Sequence, residues 1–555
     1  MLHAMAFYGV DLGTTFCAAG VARRGVVTRV PLERGSAVLA STVLLDDRDP
    51  SAPRATLGRA AVDRWRDLCA RGEPPPGVVL VRGSKNHVAS QHGPLVGAPW
   101  RLGGVDLRAT DLAALLLRGV ALGVARDPSL PPLDAVVVTH PQRFRNRERR
   151  ATAQAAHLAG LRCAALIPEP DAAAWAYGLG ARFGGRRATF VVFDFGGGTL
   201  DVTVMRREDD GPVPRLDAVA SYGVQLGGLG IDELVRERLL ARYAEAVGEP
   251  SLSLERVSEA SREALLAAAE GIKIQLNAHA GGDPNPLARE ASRTLVVERD
   301  DGLRYPAATV RVRLGELSAW IGEVITRAAD CADECLALAS LGWDAVDEVF
   351  LVGGSSWLHA VQEALGRKAG GRVRLVDDAD SPLNPAMAVA AGAALYATER
   401  EAGDAGATVA WHGVTPDAFG VRAREADPTR AGARRETLAV LVPARTRVPF
   451  EGSRTFRKRG GASVLPVEVL EGRSLGDATS VGRFDIALDA SLPDGAPVEV
   501  VLRVGRDGVL TLAVRDPATR ASREVTLASA EGLYADDELE ARRALLARVE
   551  LAMDP

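Results

Sequence analysis

The sequence predicts an α/β body over residues 1–397, a linker at 398–414, an all-β domain at 415–530 and a short C-terminal helix at 531–555. Three observations predict this. Up to about Tyr396, short Val- and Ile-rich runs alternate with Ala/Leu/Arg-rich stretches of helical period. After Val414 the apolar period falls to two, as half-buried strands require. Near the end, 534–553 places Leu539, Leu545, Leu546 and Val549 on one stripe of a helix.

At 555 residues the chain is too long for one hydrophobic core, and length alone suggests roughly three or four folding units. In the first part, the run 135–139 leads into a helical stretch at 146–159, and the apolar run 190–205 precedes another at 230–247. That rhythm is the signature of a sheet with helices across its faces. Residues 398–407 are polar and contain Gly403 and Gly406. Strands follow at 438–442, 464–470, 498–504 and 509–514. Asp494-Gly495 and Asp507-Gly508 supply turns, because glycine accepts positive φ.

Composition excludes several classes. A hydrophobic share of 47% with 25% charged residues suits a chain that buries cores and keeps a wettable surface. A formal net charge of -5, with both signs interleaved, leaves no field to attract nucleic acid or an anionic membrane. Five cysteines are too few and scattered for a disulfide framework; Cys331 and Cys335, one helical turn apart, lack the further ligands a metal needs. No run approaches the eighteen or so apolar residues of a membrane span, and the first residues lack the pattern of a secretory signal. A cytoplasmic setting is expected.

Two glycine-bearing segments carry the chemistry: Val10-Asp11-Leu12-Gly13-Thr14-Thr15, and Phe193-Asp194-Phe195-Gly196-Gly197-Gly198-Thr199-Leu200-Asp201. Glycines let backbone N–H groups approach phosphate oxygens, and threonine hydroxyls add donors. The aspartates suit a hydrated Mg²⁺, which keeps several waters. Either turn alone also reads as an ordinary hairpin. The same design in two α/β halves argues for two lobes closing on one nucleotide. No GxxxxGK[ST] is present, so this is not a P-loop protein. A third segment, Val352-Gly353-Gly354-Ser355-Ser356, again ends an apolar strand in paired glycines.

Further segments complete a pattern: Val138-Thr139-His140-Pro141 leading to Arg149-Arg150-Ala151-Thr152, then Pro168-Glu169-Pro170-Asp171-Ala172-Ala173-Ala174, Glu270-Gly271-Ile272-Lys273, and Asn384-Pro385-Ala386-Met387-Ala388. In this order and spacing they resemble the actin-like (ribonuclease H-like) ATPase domain of the heat-shock protein 70 kDa (DnaK-like) chaperone family. The resemblance covers nearly the whole chain, with strong motifs before Ala394 and weak ones after it. It implies a two-lobed ATPase domain, a peptide-binding β-sandwich and a truncated helical lid.

The resemblance also implies roles. Asp11 and Asp194 belong to the outer shell of Mg²⁺. Gly13, Thr14, Thr15, Gly196, Gly197, Gly198, Thr199, Gly227 and Gly228 surround the phosphates of ATP or ADP. Lys85 is similar to the family lysine that orients the attacking water, with Glu169, Thr199 and Asp201 beside it; a solvated lysine is the plain alternative and Arg82 a competitor. Glu270, Lys273, Asn277, Gly353, Gly354 and Ser355 resemble the nucleoside contacts. Trp357 stands where the family usually has a basic residue, and Asn277 where it commonly has Ser. Pro141 and Arg149 resemble the residues that relay nucleotide state to the next domain.

The linker departs from the family: His412 and Gly413 interrupt an otherwise aliphatic run, Trp411 is its candidate anchor, and His412 reads as a loop residue. Leu465 and Val467 fall where the family lines its peptide pocket, with plain core residues as the alternative. Arg430, Arg434, Arg435, Arg457, Lys458 and Arg459 make the arching loops basic; a solvated charged face is the plain reading, and a preference for acidic or amphipathic clients the functional one. Expected partners are unfolded or extended polypeptides, a J-domain co-chaperone and a nucleotide-exchange factor. The rival is a nucleotide-sensing regulatory or scaffold protein of the same fold. A small-molecule kinase of the superfamily has no place for the β-domain.

Overall fold

The structure, a computed structural model, describes residues 6–71, 76–88, 100–178, 187–209, 213–278, 285–376, 378, 381, 383–402, 410–426, 433–458, 463–488, 492–505, 510–515, 522–526 and 533–554. The first lobe begins with β1 (Ala6–Leu12), β2 (Phe16–Arg23) and β3 (Val26–Arg29), an antiparallel meander, with β4 (Val38–Ala40) beside β2. A smaller sheet comprises β5 (Thr42–Asp46), β6 (Arg54–Leu57) and, after α1 (Gly58–Ala70), β7 (Val78–Arg82). A hairpin of β8 (Arg101–Leu102) and β9 (Val105–Asp106) leads to α2 (Ala109–Arg126). Then β10 (Leu133–His140) pairs parallel with β1; α3 (Asn146–Leu158), β11 (Arg162–Pro168) and α4 (Glu169–Gly178) follow. Val136, Val137 and Val138 of β10 are all fully buried, because helices cover both faces of this sheet.

The second lobe repeats the plan. A meander of β12 (Ala188–Phe195), β13 (Leu200–Glu208) and β14 (Arg215–Val224) is followed by α5 (Gly228–Val247) and α6 (Glu259–Asn277). Next come β15 (Glu290–Leu295), β16 (Ala308–Arg313), α7 (Leu314–Leu338), β17 (Glu348–Val352), α8 (His359–Ala369) and β18 (Val373–Arg374). The order β18-β17-β12-β13-β14 matches β11-β10-β1-β2-β3 of the first lobe. Last, α9 (Ala388–Ala402) returns to the first lobe, where a Cβ on Gly392 would lie 1.6 Å from the Ala172 carbonyl oxygen of α4. Only glycine permits that approach. Cys331 and Cys335 are buried in α7 and donate to the Arg327 and Val202 carbonyls, so they act as core residues.

The linker is where sequence and structure part. Ala410–His412 forms β19, which pairs parallel with β14 and extends the second lobe's sheet. His412 is not a loop residue: it and Arg447 both meet Asp217, at 3.1 and 2.9 Å. Residues 403–409 lie outside the described residues.

The β-domain consists of β20 (Ala418–Ala426), β21 (Arg434–Val442), β22 (Phe450–Arg457), β23 (Val464–Gly472), β24 (Thr479–Ala487), β25 (Pro497–Val504), β26 (Leu510–Arg515) and β27 (Ser522–Thr526). Sheets β21-β20-β23-β24 and β22-β25-β26-β27 enclose a core that includes Phe419, Val469, Leu502 and Leu512. The turn at Asp494-Gly495 has Gly495 at φ 79°, whereas Asp507-Gly508, Arg430 and Arg459 lie outside the described residues. Lys458 corrects the picture of a basic arch: it is buried, and its Nζ donates to the Leu492 carbonyl at 2.6 Å.

The terminal stripe is helical only as α10 (Asp536–Arg548); β28 (Glu550–Ala552) follows. Neither takes the position of a lid: α10 packs on α2 and α3 of the first lobe, and β28 pairs with β6.

Candidate functional site

The two glycine turns face each other between the lobes. Asp11 sits near the end of β1 and Asp194 near the end of β12, where the strands deliver them to the same cleft. A Cβ on Gly197 would fall 1.5 Å from the Thr15 hydroxyl oxygen, so backbone alone fits there. The turn at 196–199 is held from outside: Gly228 N–H and the Ser355 hydroxyl donate to the Gly196 carbonyl at 3.0 and 2.8 Å, and Leu229 N–H to the Gly197 carbonyl at 2.8 Å. On the other side Ser41 donates through its hydroxyl to the Gly13 carbonyl, at 2.7 Å, and through its N–H to that of Thr15, at 2.8 Å. Gly353, at φ 80°, passes so close to Asp194 that an added Cβ would lie 2.7 Å from its Oδ1.

Beneath the turns lies a buried charge cluster. Lys85, on a short 3₁₀ turn (Ser84–His87), bonds through Nζ to Glu169 Oε1 at the start of α4; both residues are buried. Arg82, the competitor, instead spans the lobes to Glu263 at 2.8 Å. Asp201 lies opposite Asp194 across the β12–β13 pair. Burial, with Glu169 adding repulsion, pushes Asp11 up to about 7 against the pull of Lys85 and a 2.9 Å bond from Thr139. Burial and Glu169 likewise push Asp201 up to about 7, and Asp194 is raised by burial, Glu169, Asp201 and Asp11. Burial lowers Lys85, but Glu169 and Asp11 more than offset it.

Four acidic groups, with Lys85 and Arg143 set against them, leave an excess of negative charge, which a cation relieves. Among the described residues the buried Thr15 hydroxyl oxygen has no hydrogen-bond partner, another position a ligand satisfies. Among the described residues no three acidic, histidine or cysteine side chains gather closely enough to ligate a metal directly. The carboxylate oxygens of Asp11 and Asp194, which face each other closely enough to interact, suit a hard cation such as Mg²⁺.

Thr14, Thr15, Arg82, Gly83 and Glu270 line a cleft of about 390 Å³. Lys273 is tied to Asp232 at 2.7 Å, and burial pushes Asp232 up to about 6. Asn277 joins α6 to α8 by accepting from His359 N–H at 2.8 Å. Gly354 and Trp357 bound the short turn before α8, with Trp357 half-buried.

Residues 87–548 match the model of the family described as Hsp70 protein. The chain belongs to the Hsp70 family. It is 28% identical over 560 residues to "Heat shock 70 kDa protein BIP3" of Oryza sativa subsp. japonica, covering 96% of this chain and 76% of that one. It is 26% identical over 546 residues to "Chaperone protein DnaK" of Elusimicrobium minutum, covering 96% and 78%. A second "Chaperone protein DnaK", of Cenarchaeum symbiosum, is also 26% identical, with 95% and 74% covered.

In this Hsp70-family chain the β-domain meets the first lobe at the start of α3, just beyond Pro141. Arg145 pairs with Asp417 at 2.9 Å, Asn146 N–H donates to Glu471 Oε2 at 2.7 Å, and Arg149 lies 3.6 Å from Glu471 Oε1. Burial pushes Glu471 up to about 7 although Arg149 pulls it down. Within the β-domain, Val467 is a core residue and Leu465 is half-buried against that core. Thr139, Ser41 and Glu471 are the contributors that sequence reasoning missed. Thr139 was within the quoted motif, but its bond to Asp11 spans 128 positions and leaves no local signal.

Proposed function

We propose that this protein is an ATP-dependent chaperone that binds and slowly hydrolyses ATP to control its hold on unfolded or extended polypeptide. The observation that carries the reading is the cluster of half-buried Asp11 with buried Glu169, Asp194, Asp201 and Lys85 beneath two facing glycine turns. Asp11 and Asp194 would hold Mg²⁺ through water, and the ion when bound neutralises phosphate charge. The amides of the 13–15 and 196–199 turns, with Thr14, Thr15 and Thr199, bind phosphate oxygens. Lys85 and Glu169, paired with each other, orient the attacking water, and Asp201 accepts its proton at a carboxylate oxygen. Positioning and charge neutralisation suffice for this reaction.

The β-domain is the peptide holder in this reading, with half-buried Leu465 the more accessible of the two pocket candidates. Strand β19 and the Arg149–Glu471 contact supply a route from nucleotide to peptide. A J-domain co-chaperone and an exchange factor are the expected partners, and the five free cysteines suit a reducing, cytoplasmic setting. The test is single-turnover ATP hydrolysis with and without unfolded polypeptide, alongside Asp201→Asn. Slow hydrolysis that polypeptide accelerates and the variant loses supports the reading. Binding without acceleration indicates a sensor or scaffold; no binding overturns the assignment of the turns.

A further inference from the structure

Residues 533–554 are built into the first lobe. Tyr534 is 4% exposed; its N–H donates to the Gln154 side-chain oxygen at 3.1 Å, and its carbonyl accepts from the Gln154 amide at 2.8 Å. The Tyr534 hydroxyl donates to Asp111, which is fully buried on α2, and the Arg108 guanidinium lies 4.1 Å over the ring. Leu546, Val549 and Met553 are buried in the same core as Val10, Leu39 and Leu116. The last carbonyls of a helix need outside donors. Here the first lobe provides one: Arg118 of α2 donates to the carbonyls of Leu546 and Val549.

The chain beyond the helix is held equally firmly. Glu550 N–H donates to the Pro53 carbonyl at 3.0 Å, and Glu550, Leu551 and Ala552 run in register with Arg54, Ala55 and Thr56. This makes β28 the fourth strand of the sheet β28-β6-β5-β7. Arg126 donates to the Met553 and Asp554 carbonyls at 3.4 and 3.3 Å. Withdrawing the segment exposes a sheet edge and four buried side chains together.

The segment also limits the β-domain. From Thr526, at the end of β27, to Leu533 there are seven Cα–Cα steps, which span at most about 25 Å. While residues 533–554 hold, the far end of the β-domain stays within that distance of the first lobe.

We propose that residues 533–554 are a fixed clasp that completes the first lobe and tethers the β-domain to it, so that the far end of the β-domain moves only within the reach of that seven-step connection whichever nucleotide is bound. The independence from nucleotide rests on the function proposed above; the clasp does not. The test is hydrogen exchange read by mass spectrometry on the full chain, without nucleotide, with ADP and with ATP, beside the double variant Leu546→Asp, Leu551→Pro. The expected result is that peptides covering 54–57 exchange equally, within about twofold, in all three wild-type states. In the variant they exchange about tenfold faster or more, as an uncovered edge does. Equal exchange in wild type and variant would overturn the clasp. Protection that falls tenfold with ADP would overturn its fixed character and make it a nucleotide-gated lid. The wild-type comparison stands even where the variant folds poorly. A chain that binds no nucleotide, measured in parallel, sinks the ATPase reading alone, and the wild-type and variant pair then decides the clasp.

Discussion

Glu471→Gln tests how the β-domain is held against the first lobe. In the docked arrangement Glu471 is fully buried, and its carboxyl is pushed from an ordinary 4.5 up to about 7, burial outweighing Arg149, the Asn146 N–H bond and Arg145. A raised carboxyl binds its proton more tightly in the docked state than when released into water. Docking therefore takes up a proton between pH 4.5 and about 7, weakens as pH rises through that window, and is level above it. The whole window corresponds to on the order of 3 kcal/mol, roughly a hundredfold in the docking equilibrium. Glutamine keeps an acceptor for Asn146 N–H and carries no charge, so at pH 8 the variant docks more tightly than wild type by up to that amount. Hydrogen exchange of peptides around Asn146, corrected for the intrinsic pH dependence, reads this directly. Faster exchange in Glu471→Gln than in wild type at pH 8 would refute the reasoning, because the Arg149 pair would then outweigh the cost of burial.

Other outcomes follow from the same physics. Lys85→Ala leaves Glu169 buried without its partner, and thermal or urea unfolding should show a loss of roughly 3–5 kcal/mol. Asp201, raised from 3.8 to about 7, makes the ligand-free protein less stable as pH climbs from 3.8 to about 7. Urea unfolding should find about 2 kcal/mol less stability from this group at pH 8 than at pH 5.5, and Asp201→Asn should remove that part of the slope. Leu546→Ala, in a fully buried position, should cost about 2–5 kcal/mol; no loss of stability would mean that α10 is not packed on the first lobe in solution.

The two facing glycine turns were legible because their pattern is local: an Asp at a strand end, then glycines, then Thr. The layered α/β body was legible for a similar reason, since apolar runs such as 135–139 carry their burial in their composition. What the sequence hid is pairing at a distance. Residues Ala410–His412 look like a broken linker, yet β14 offers a sheet edge that accepts their backbone regardless of side-chain type. Lys458 reads as a surface charge until Leu492 is placed beside its Nζ. The helix end at Arg548 has no glycine to announce it: Val549 follows in extended conformation, and β28 is a strand only because β6 is there to pair with it.

That pairing has a consequence for the order in which the protein is made. Arg54 and Glu550, joined at 2.9 Å where β6 meets β28, are 496 positions apart. At about 5–20 residues per second, roughly half a minute to a minute and a half of synthesis separates them. Throughout that interval β6 has no outer neighbour, and the first lobe waits on the ribosome with an open strand edge and an unfilled groove along α2. Such an edge is a template for another chain's strand. The nascent chain keeps that edge open until residues Glu550–Ala552 arrive to close it.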